Sequence, residues 1–211
     1  IMTAFLIIGA NYNGDIAGLN SLDDDSMRLD AAVVKEDIDT VTDLLTRGVS
    51  PNFTVSGGWT PLISAAHYGH TAIVHALLQH GSEVNAETTK GKQSSLWKAA
   101  CHGHYDMLVD LLQHGAAVNH QSWTGTTPLY ISCQEGHKSC AAALLDGRAD
   151  INLANNDGRT PLAAASRRGH TDVVALLAQR GARLDQVRLL LGCNCGLDWS
   201  IIFYVLLITR E

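Results

Sequence analysis

Short runs of apolar residues recur along the chain at the spacing of an α-helix. In one run, Ile73, Val74 and Leu77 fall on a single side of a helix. This run ends in Leu77-Leu78, and the same double leucine returns at Leu111-Leu112, Leu144-Leu145 and Leu176-Leu177. A second kind of short segment precedes each run and carries adjacent small residues, such as Ala65-Ala66. The pattern predicts pairs of short helices, one with an apolar stripe and one with a small-residue surface for close packing.

These pairs repeat at a fixed interval. The tripeptide Thr-Pro-Leu begins at Thr60, Thr127 and Thr160, and a degenerate copy, Ser-Ser-Leu, begins at Ser94. Successive copies are 34, 33 and 33 residues apart. A Gly-His pair follows each start at Gly69-His70, Gly103-His104, Gly136-His137 and Gly169-His170. A period of this size indicates a stack of similar units, in which neighbours bury the apolar face that no single unit can bury alone.

Each recurring residue has a local structural reason. Threonine is a preferred N-cap, and the proline after it suits the first helical position. The glycine of the Gly-His pair is expected to end the first helix in a left-handed conformation. We assign the glycines that close the second helix to Gly81, Gly115, Gly147 and Gly181.

The combined pattern resembles the ankyrin repeat. The resemblance implies an all-α repeat solenoid of about five helix-turn-helix units joined by β-turn fingers. We place the repeat domain at 27–186, with units at about 27–59, 60–93, 94–126, 127–159 and 160–186. A non-repeat leader, 1–26, precedes the domain and an apolar tail, 187–211, follows it.

The first unit is degenerate, as a terminal repeat should be. Met27-Arg28 replaces Thr-Pro, which removes the predicted cap, and Glu36 replaces the glycine that ends the first helix. We expect its polar residues to face water. They are Asp30, Lys35, Glu36, Asp37 and Asp39.

The two ends depart from the pattern. Residues 1–10 are apolar but lack the basic start of a signal peptide, and they are too few to span a bilayer. The acidic run Asp23-Asp24-Asp25 is interpreted as a solvated lead-in. The tail is hypothesised not to be the native continuation of the array. The alternative is a C-terminal helix or hairpin that covers the fifth repeat.

Composition narrows the classes of function. The net charge is −6 and the pI is about 5.9, which does not fit a nucleic-acid-binding surface. The ten histidines largely follow the repeat, so no metal site is predicted, and Cys193 and Cys195 form only a weak C-x-C signal. No catalytic or cofactor-binding motif is present. Cysteines at helical positions favour a reducing compartment, the cytoplasm or alternatively the nucleus.

Two departures from the family pattern change the expected packing. The position after Thr-Pro-Leu, where the family usually has a histidine that bonds the neighbouring loop, holds Ile63, Trp97, Tyr130 and Ala163. Trp97 and Tyr130 must therefore pack differently. The third repeat also lacks the Thr-Pro pair and carries one extra finger residue.

Finger asparagines of the family can be hydroxylated, and Asn85 matches that context; the alternative is that Asn85 bonds its own turn.

The resemblance implies a concave face, lined by the finger tips and the first helix of each unit, where ankyrin repeats bind. Positions without a scaffold role are the candidates. They are Trp59, Ser64, His67 and Tyr68; Lys92, Lys98, Cys101 and His102; Trp123, Thr126, Ile131, Gln134 and Glu135; and Arg159, Ala164, Arg167 and Arg168. Aromatic residues and arginine are typical interface hot spots. The alternative for Trp59 and Trp123 is that each folds back onto its own finger.

These features predict a protein-interaction scaffold or adaptor that acts as a monomer, without cofactor, catalysis or membrane insertion. The partner is expected to present an apolar stretch followed by acidic residues, because aromatic residues precede arginines along the array. The alternative is an accessory recognition domain of a larger catalytic, ubiquitin-ligase or membrane protein.

Overall fold

The computed structural model describes residues 24–183, which form five pairs of antiparallel helices. The first helices of the pairs are α1 (Asp24–Val34), α3 (Pro61–Tyr68), α5 (Ser95–His102), α7 (Pro128–Glu135) and α9 (Pro161–Arg168). The second helices are α2 (Ile38–Thr46), α4 (Thr71–Gln79), α6 (Tyr105–Gln113), α8 (Lys138–Asp146) and α10 (Thr171–Gln179). The fold class predicted from the sequence is confirmed.

The helices form two layers. Each first helix, here called an inner helix, packs on the next inner helix, and each second, or outer, helix packs on the next outer helix. Small residues such as Ala65 and Ala99, both fully buried, allow the inner layer to pack closely. The apolar stripes of the outer helices face the inner layer, and one continuous core runs through the stack.

Four connecting segments join the pairs and project as fingers: the first (47–60), second (80–94), third (114–127) and fourth (147–160). A ladder of asparagine side chains ties each finger to the next repeat. The Oδ1 atom of Asn52 accepts from the Glu83 N–H at 2.8 Å, and that of Asn85 accepts from the Ala117 N–H at 2.8 Å. The interpretation that Asn85 bonds its own turn is therefore wrong, since its partner lies 32 residues away.

The predicted helix caps are present. The threonine hydroxyls of Thr60, Thr127 and Thr160 each accept a hydrogen bond from the backbone N–H three residues later. Ser94 does the same for the Trp97 N–H at 3.2 Å, so the third repeat keeps its cap despite losing the Thr-Pro pair. Ser95, which replaces the proline, has a buried hydroxyl without a hydrogen-bond partner.

Left-handed glycines end α3, α5, α7 and α9, and the first three of them pack against the histidine of the next repeat. Gly103 has φ 75°, and a Cβ atom there would lie 2.6 Å from Nδ1 of His137. With the glycine in place, Nε2–H of His137 donates to the Cys101 carbonyl at 3.0 Å. His170 reaches the Gln134 carbonyl in the same way at 2.9 Å. These histidines thus join neighbouring repeats.

The first repeat shows what happens without that glycine. Glu36 occupies the equivalent position and keeps the left-handed conformation, with φ 61°. Its Cβ atom stands where the next histidine ring would pack. His70 leaves its buried Nε2 atom without a partner and instead places Nδ1 3.4 Å from Oε1 of Glu36.

The structure also corrects the glycine assigned to the end of α8. Gly147 has φ −77°, within the range that any residue adopts, and Arg148 takes the left-handed conformation at φ 65°. Arg148 is the residue that stands one repeat after Gly115. The outer helix of the fourth repeat therefore closes on an arginine in a conformation that disfavours residues with a Cβ atom.

Two expectations for the first repeat are wrong. Asp30 is buried, with 7% of its surface exposed, because it occupies the slot that Ile63 and Trp97 fill in later repeats. Asp24 and Asp25 belong to the first turn of α1 instead of a solvated lead-in, and Oδ2 of Asp25 accepts from Arg47 at 3.2 Å. The leader up to residue 23 and the tail from residue 184 lie outside the described residues, as do Cys193 and Cys195.

Replacing the left-handed residues by glycine tests the role of the histidine contact. We expect Arg148→Gly to raise the free energy of unfolding by up to about 1 kcal/mol, because it relieves backbone strain alone. Glu36→Gly should raise it by more, about 1–2 kcal/mol, because His70 can then also reach a backbone carbonyl. Urea denaturation of both variants gives the comparison. Equal gains would show that the Glu36 Cβ atom does not limit His70.

Asp30 should make the stability depend on pH. Burial raises the pKa of Asp30 to about 6, so the folded state binds its proton more tightly than the unfolded chain does. The free energy of unfolding contributed by Asp30 is therefore highest at low pH and is lost as the pH rises through 6. We expect this contribution to fall by about 2 kcal/mol between pH 4.5 and pH 7.5.

The measurement is urea denaturation of the wild type and Asp30→Asn at both pH values. The histidines titrate in both proteins, so the difference between them isolates Asp30. Asp39→Asn, which changes an exposed acid, serves as the control. Parallel pH profiles for the wild type and Asp30→Asn would contradict the burial of an unpaired carboxyl.

Candidate interaction surface

The predicted contact residues differ widely in exposure. Those that are exposed are Tyr68, Lys92, His102, Trp123, Glu135, Arg159, Arg167 and Arg168. Those that are half-buried are Trp59, His67, Cys101 and Gln134. Five are buried, each with at most 8% of its surface exposed: Ser64, Lys98, Thr126, Ile131 and Ala164. These five residues proposed as contacts therefore lack the accessible surface that was expected of them.

An aromatic and histidine cluster joins the first finger, α3 and α5. Trp59 meets the His67 ring edge to face, with centroids 5.4 Å apart. His67 in turn packs on Tyr68, and its Nδ1 atom lies 3.0 Å from Nε2 of His102. Burial, and after it the nearby positive charge of Lys98, lower the pKa of His67 to about 4. His67 is therefore uncharged near neutral pH. The cluster is held together by contacts among its own members.

Lys98 is buried because two tryptophan rings cover it. Its Nζ atom lies 4.7 Å from the Trp59 ring centroid and 5.5 Å from the Trp97 ring centroid. Burial lowers the pKa of Lys98, and the ring faces offset part of the cost of burying its charge. Trp59 thus packs against His67 of α3 and Lys98 of α5 and covers a buried residue.

Thr126 is buried because it is the centre of a hydroxyl network in the third finger. Its Oγ1 atom accepts from Nε1–H of Trp97 at 3.2 Å and lies 2.6 Å from Oγ of Ser122. The hydroxyl of Thr124 joins both. Trp97 thereby makes a hydrogen bond to a finger, as the family histidine usually does. Thr126 therefore has a structural role.

Trp123 stands on the tip of the same finger with 60% of its surface exposed. The fingers on both sides hold its backbone. Its N–H donates to the Gly91 carbonyl at 2.9 Å, and its carbonyl accepts from Nδ2 of Asn156 at 2.7 Å. The side chain is presented to solvent on a fixed backbone, and the fold-back alternative does not apply to it.

Three arginines lie around Tyr130 at the other end of the face. Arg159 comes from the fourth finger, and Arg167 and Arg168 from the last turn of α9. Burial raises the pKa of Tyr130, and the positive charges of all three arginines oppose that effect. Asn155 links the fourth finger to this site by donating to the Tyr130 hydroxyl at 3.4 Å. All three arginine charges therefore lie within electrostatic range of one tyrosine.

Few carboxylates balance these arginines. Asp157 lies 3.8 Å from Arg159 on an exposed turn, and Glu135 accepts from Gln134 at 2.8 Å. Within the described part of the chain, Arg167 and Arg168 form no ion pair. The repeat-five end of the concave face is therefore locally positive on a chain whose net charge is −6.

Sequence reasoning missed a second surface, on the outer helices. An open groove of about 770 Å³ lies between α6 and α8, lined by Tyr105, Leu112, Ala142, Ala143 and others. Tyr105 is 47% exposed. The available signal was Tyr105 itself, because α4, α8 and α10 begin with threonine or lysine at that position.

The described residues give no chemical centre of another kind. Across residues 24–183, no three His, Cys, Asp or Glu side chains are arranged to share a metal ion. Burial raises the pKa of Cys133 to about 12 and that of Cys140 to about 11, so both are thiols near neutral pH. Cys101, Cys133 and Cys140 are all unpaired. Within the same range, no helix has the length and apolar content needed to cross a bilayer.

Comparison with protein families gives an assignment that agrees with this geometry. A family model described as ankyrin repeats (3 copies) matches residues 29–122 and 96–188. The chain belongs to the ankyrin repeat family. Ankyrin repeats generally mediate protein–protein interaction and are generally not catalytic.

Curated relatives share only a segment with this chain. The ankyrin repeat, SAM and basic leucine zipper domain-containing protein 1 of Nomascus leucogenys is 35% identical over 81 residues, which is 38% of this chain and 17% of that protein. The human 2-5A-dependent ribonuclease is 40% identical over 68 residues, 32% of this chain and 9% of the ribonuclease. The similarity thus spans less than a fifth of either relative.

Removing the hydroxyl of Thr126 should destabilise the third finger. We expect Thr126→Val to lower the free energy of unfolding by about 2 kcal/mol, because Nε1–H of Trp97 and the Ser122 hydroxyl then lose a buried partner. Thr124→Val is the matched control, since Thr124 is exposed and water can replace its hydroxyl. Urea denaturation measures both. Equal losses in the two variants would show that the network does not bind Trp97 in place.

Proposed function

We propose that this chain is a protein-interaction scaffold or adaptor, which binds a partner protein through its concave face and finger tips. The observation that carries the proposal is Trp123, a tryptophan that is 60% exposed on a backbone fixed from both sides. Exposing so large an apolar side chain contributes nothing to the stack, whereas aromatic anchors are common interface hot spots. A fixed backbone also lowers the entropy lost on binding.

The rest of the face supports the same function. Tyr68 and His102 are exposed beside the first two fingers, and Glu135, Arg167 and Arg168 continue the surface along the inner helices. None of these side chains has a role in the core. They stay candidate contacts in the proposal, while Lys98 and Thr126 act through the neighbours that they support.

The proposal extends to compartment and assembly. We infer that the protein works as a monomer in the cytoplasm, with the nucleus as the alternative. Three unpaired cysteines, two of them buried in helices, suit a reducing compartment. No nucleic acid, membrane or cofactor is included among the proposed partners.

One observation favours the second candidate function, a recognition domain of a larger protein. In the two relatives, the matching segment occupies only 17% and 9% of the whole protein. Segments similar to part of this chain thus occur within much longer proteins. In this alternative the same concave face selects a substrate or partner for an activity located elsewhere in the protein.

Site-specific photo-crosslinking tests which face binds. A photoreactive phenylalanine analogue is placed at Trp123 or Arg168, or at Tyr105 on the outer helices as the matched exposed control. We expect one discrete partner to be captured from the first two positions and not from Tyr105. Affinity for that partner should fall at least about tenfold in Trp123→Ala and stay unchanged in Tyr105→Ala. Capture through Tyr105 with no effect of Trp123→Ala would overturn the proposal.

A further inference from the structure

We infer that the third and fourth fingers with α7 and α9 receive an acidic peptide segment of the partner protein. An apolar side chain of that segment contacts Trp123, and its carboxylates pair with Arg159, Arg167 and Arg168. This inference rests on the proposed function and assigns it a place on the face and a partner of stated chemistry.

The two aromatic regions of the concave face are not equivalent. The Trp59 ring already contacts His67, and the Lys98 ammonium lies 4.7 Å from its centroid. A ligand that competes for that ring must uncover a buried charge, which is costly. Within the described chain, the Trp123 ring stacks on no other aromatic ring and lies near no lysine or arginine cation, and 60% of the residue's surface is exposed. The free aromatic anchor therefore lies at the third finger.

The third and fourth fingers also form one connected support. The Asn156 N–H donates to the Thr124 carbonyl at 3.0 Å, and Nδ2 of Asn156 donates to the Trp123 carbonyl at 2.7 Å. Nε2–H of Gln121 bridges the same two fingers by donating to the Ala154 carbonyl at 3.3 Å. Trp123 and Arg159 are thus carried on a single surface whose backbone needs no ordering when a ligand binds.

The arginines supply the charge that selects the ligand. Arg167 and Arg168 lie in the last turn of α9, where positive charge also suits the helix dipole. Guanidinium groups donate two parallel hydrogen bonds to a carboxylate, so an exposed arginine without an ion pair is a ready binding site for Asp or Glu. The order along the face, from aromatic finger to arginine helix, matches a segment that carries an apolar residue beside acidic ones.

A peptide fits this surface better than a nucleic acid. Asp157 lies 3.8 Å from Arg159, and Glu135 is exposed at the end of α7; both acids would repel a continuous phosphate backbone. Among α3, α5 and α7 of the described chain, the one lysine or arginine is Lys98, which is buried. Carboxylates on a peptide can be spaced to avoid the two acids, whereas phosphates recur at every nucleotide.

The test is a random library of twelve-residue peptides, displayed on phage and selected on the full 211-residue chain. Selected peptides should be enriched in Asp and Glu around one aromatic or aliphatic residue. The affinity of the best peptide should fall at least tenfold in Trp123→Ala and in Arg167→Gln/Arg168→Gln, and its dependence on salt should become weaker in the double variant. Lys138→Gln, which removes an exposed charge from α8, should bind as the wild type does. Glutamine keeps the helix, and circular dichroism confirms the fold of each variant.

Each other result overturns the inference in a distinguishable way. The acidic ligand would be rejected if the selected peptides showed no excess of Asp and Glu. It would also be rejected if their binding were lost in Trp123→Ala but unchanged in the arginine variant. Either result would leave the scaffold proposal standing. Peptides lost only in Tyr105→Ala, or no enrichment at all, would reject both. Tighter arginine-dependent binding of a twelve-nucleotide oligouridylate than of the best peptide would replace the peptide with RNA.

Discussion

The stack depends on a close contact between the left-handed end of each inner helix and a histidine of the next repeat. At Gly103 and Gly136 the absence of a Cβ atom lets the following ring approach and donate to a backbone carbonyl. The contact ends one helix and fixes the next repeat at the same time. At Glu36, where a Cβ atom is present, the buried Nε2 atom of His70 has no hydrogen-bond partner. Only the terminal repeat, which has a neighbour on one side, carries this defect among the five described.

Because the helices are fixed from repeat to repeat, the fingers can be fixed too. Asn52 and Asn85 each bridge to the next finger through both atoms of the side-chain amide. Trp123 and Asn156 continue this connection at the tips. A face made of loops would normally lose entropy on binding, but here the loops are braced by their neighbours. This bracing is what makes an exposed tryptophan on a finger a usable anchor.

Local signals in the sequence predicted the repeat, the inner-helix caps and the glycine ends correctly, because a cap or a left-handed turn involves residues only a few positions apart. Errors occur where a partner lies about one repeat away. Asp30 was expected in water, but it fills the slot of Ile63; Asn85 was expected to bond its own turn. Gly147 was taken for the helix end because glycine is favoured there, yet the repeat register places Arg148 in that conformation. Stacking overrides local preference in each case.

The same reasoning explains why exposure at the predicted contact positions did not follow from the sequence pattern. Trp59, Thr126 and Arg159 stand at one equivalent position, directly before the N-cap, yet they are half-buried, buried and exposed. The difference comes from α5. Trp97 replaces the family histidine and draws Thr126 into a hydrogen bond, while Lys98 beside it lies under the Trp59 ring. For Arg159 the residue equivalent to Trp97 is Tyr130 on α7, whose hydroxyl accepts from Asn155 instead, and Arg159 stays accessible. The departure from the family pattern in the third repeat therefore decides which end of the face is open to a partner.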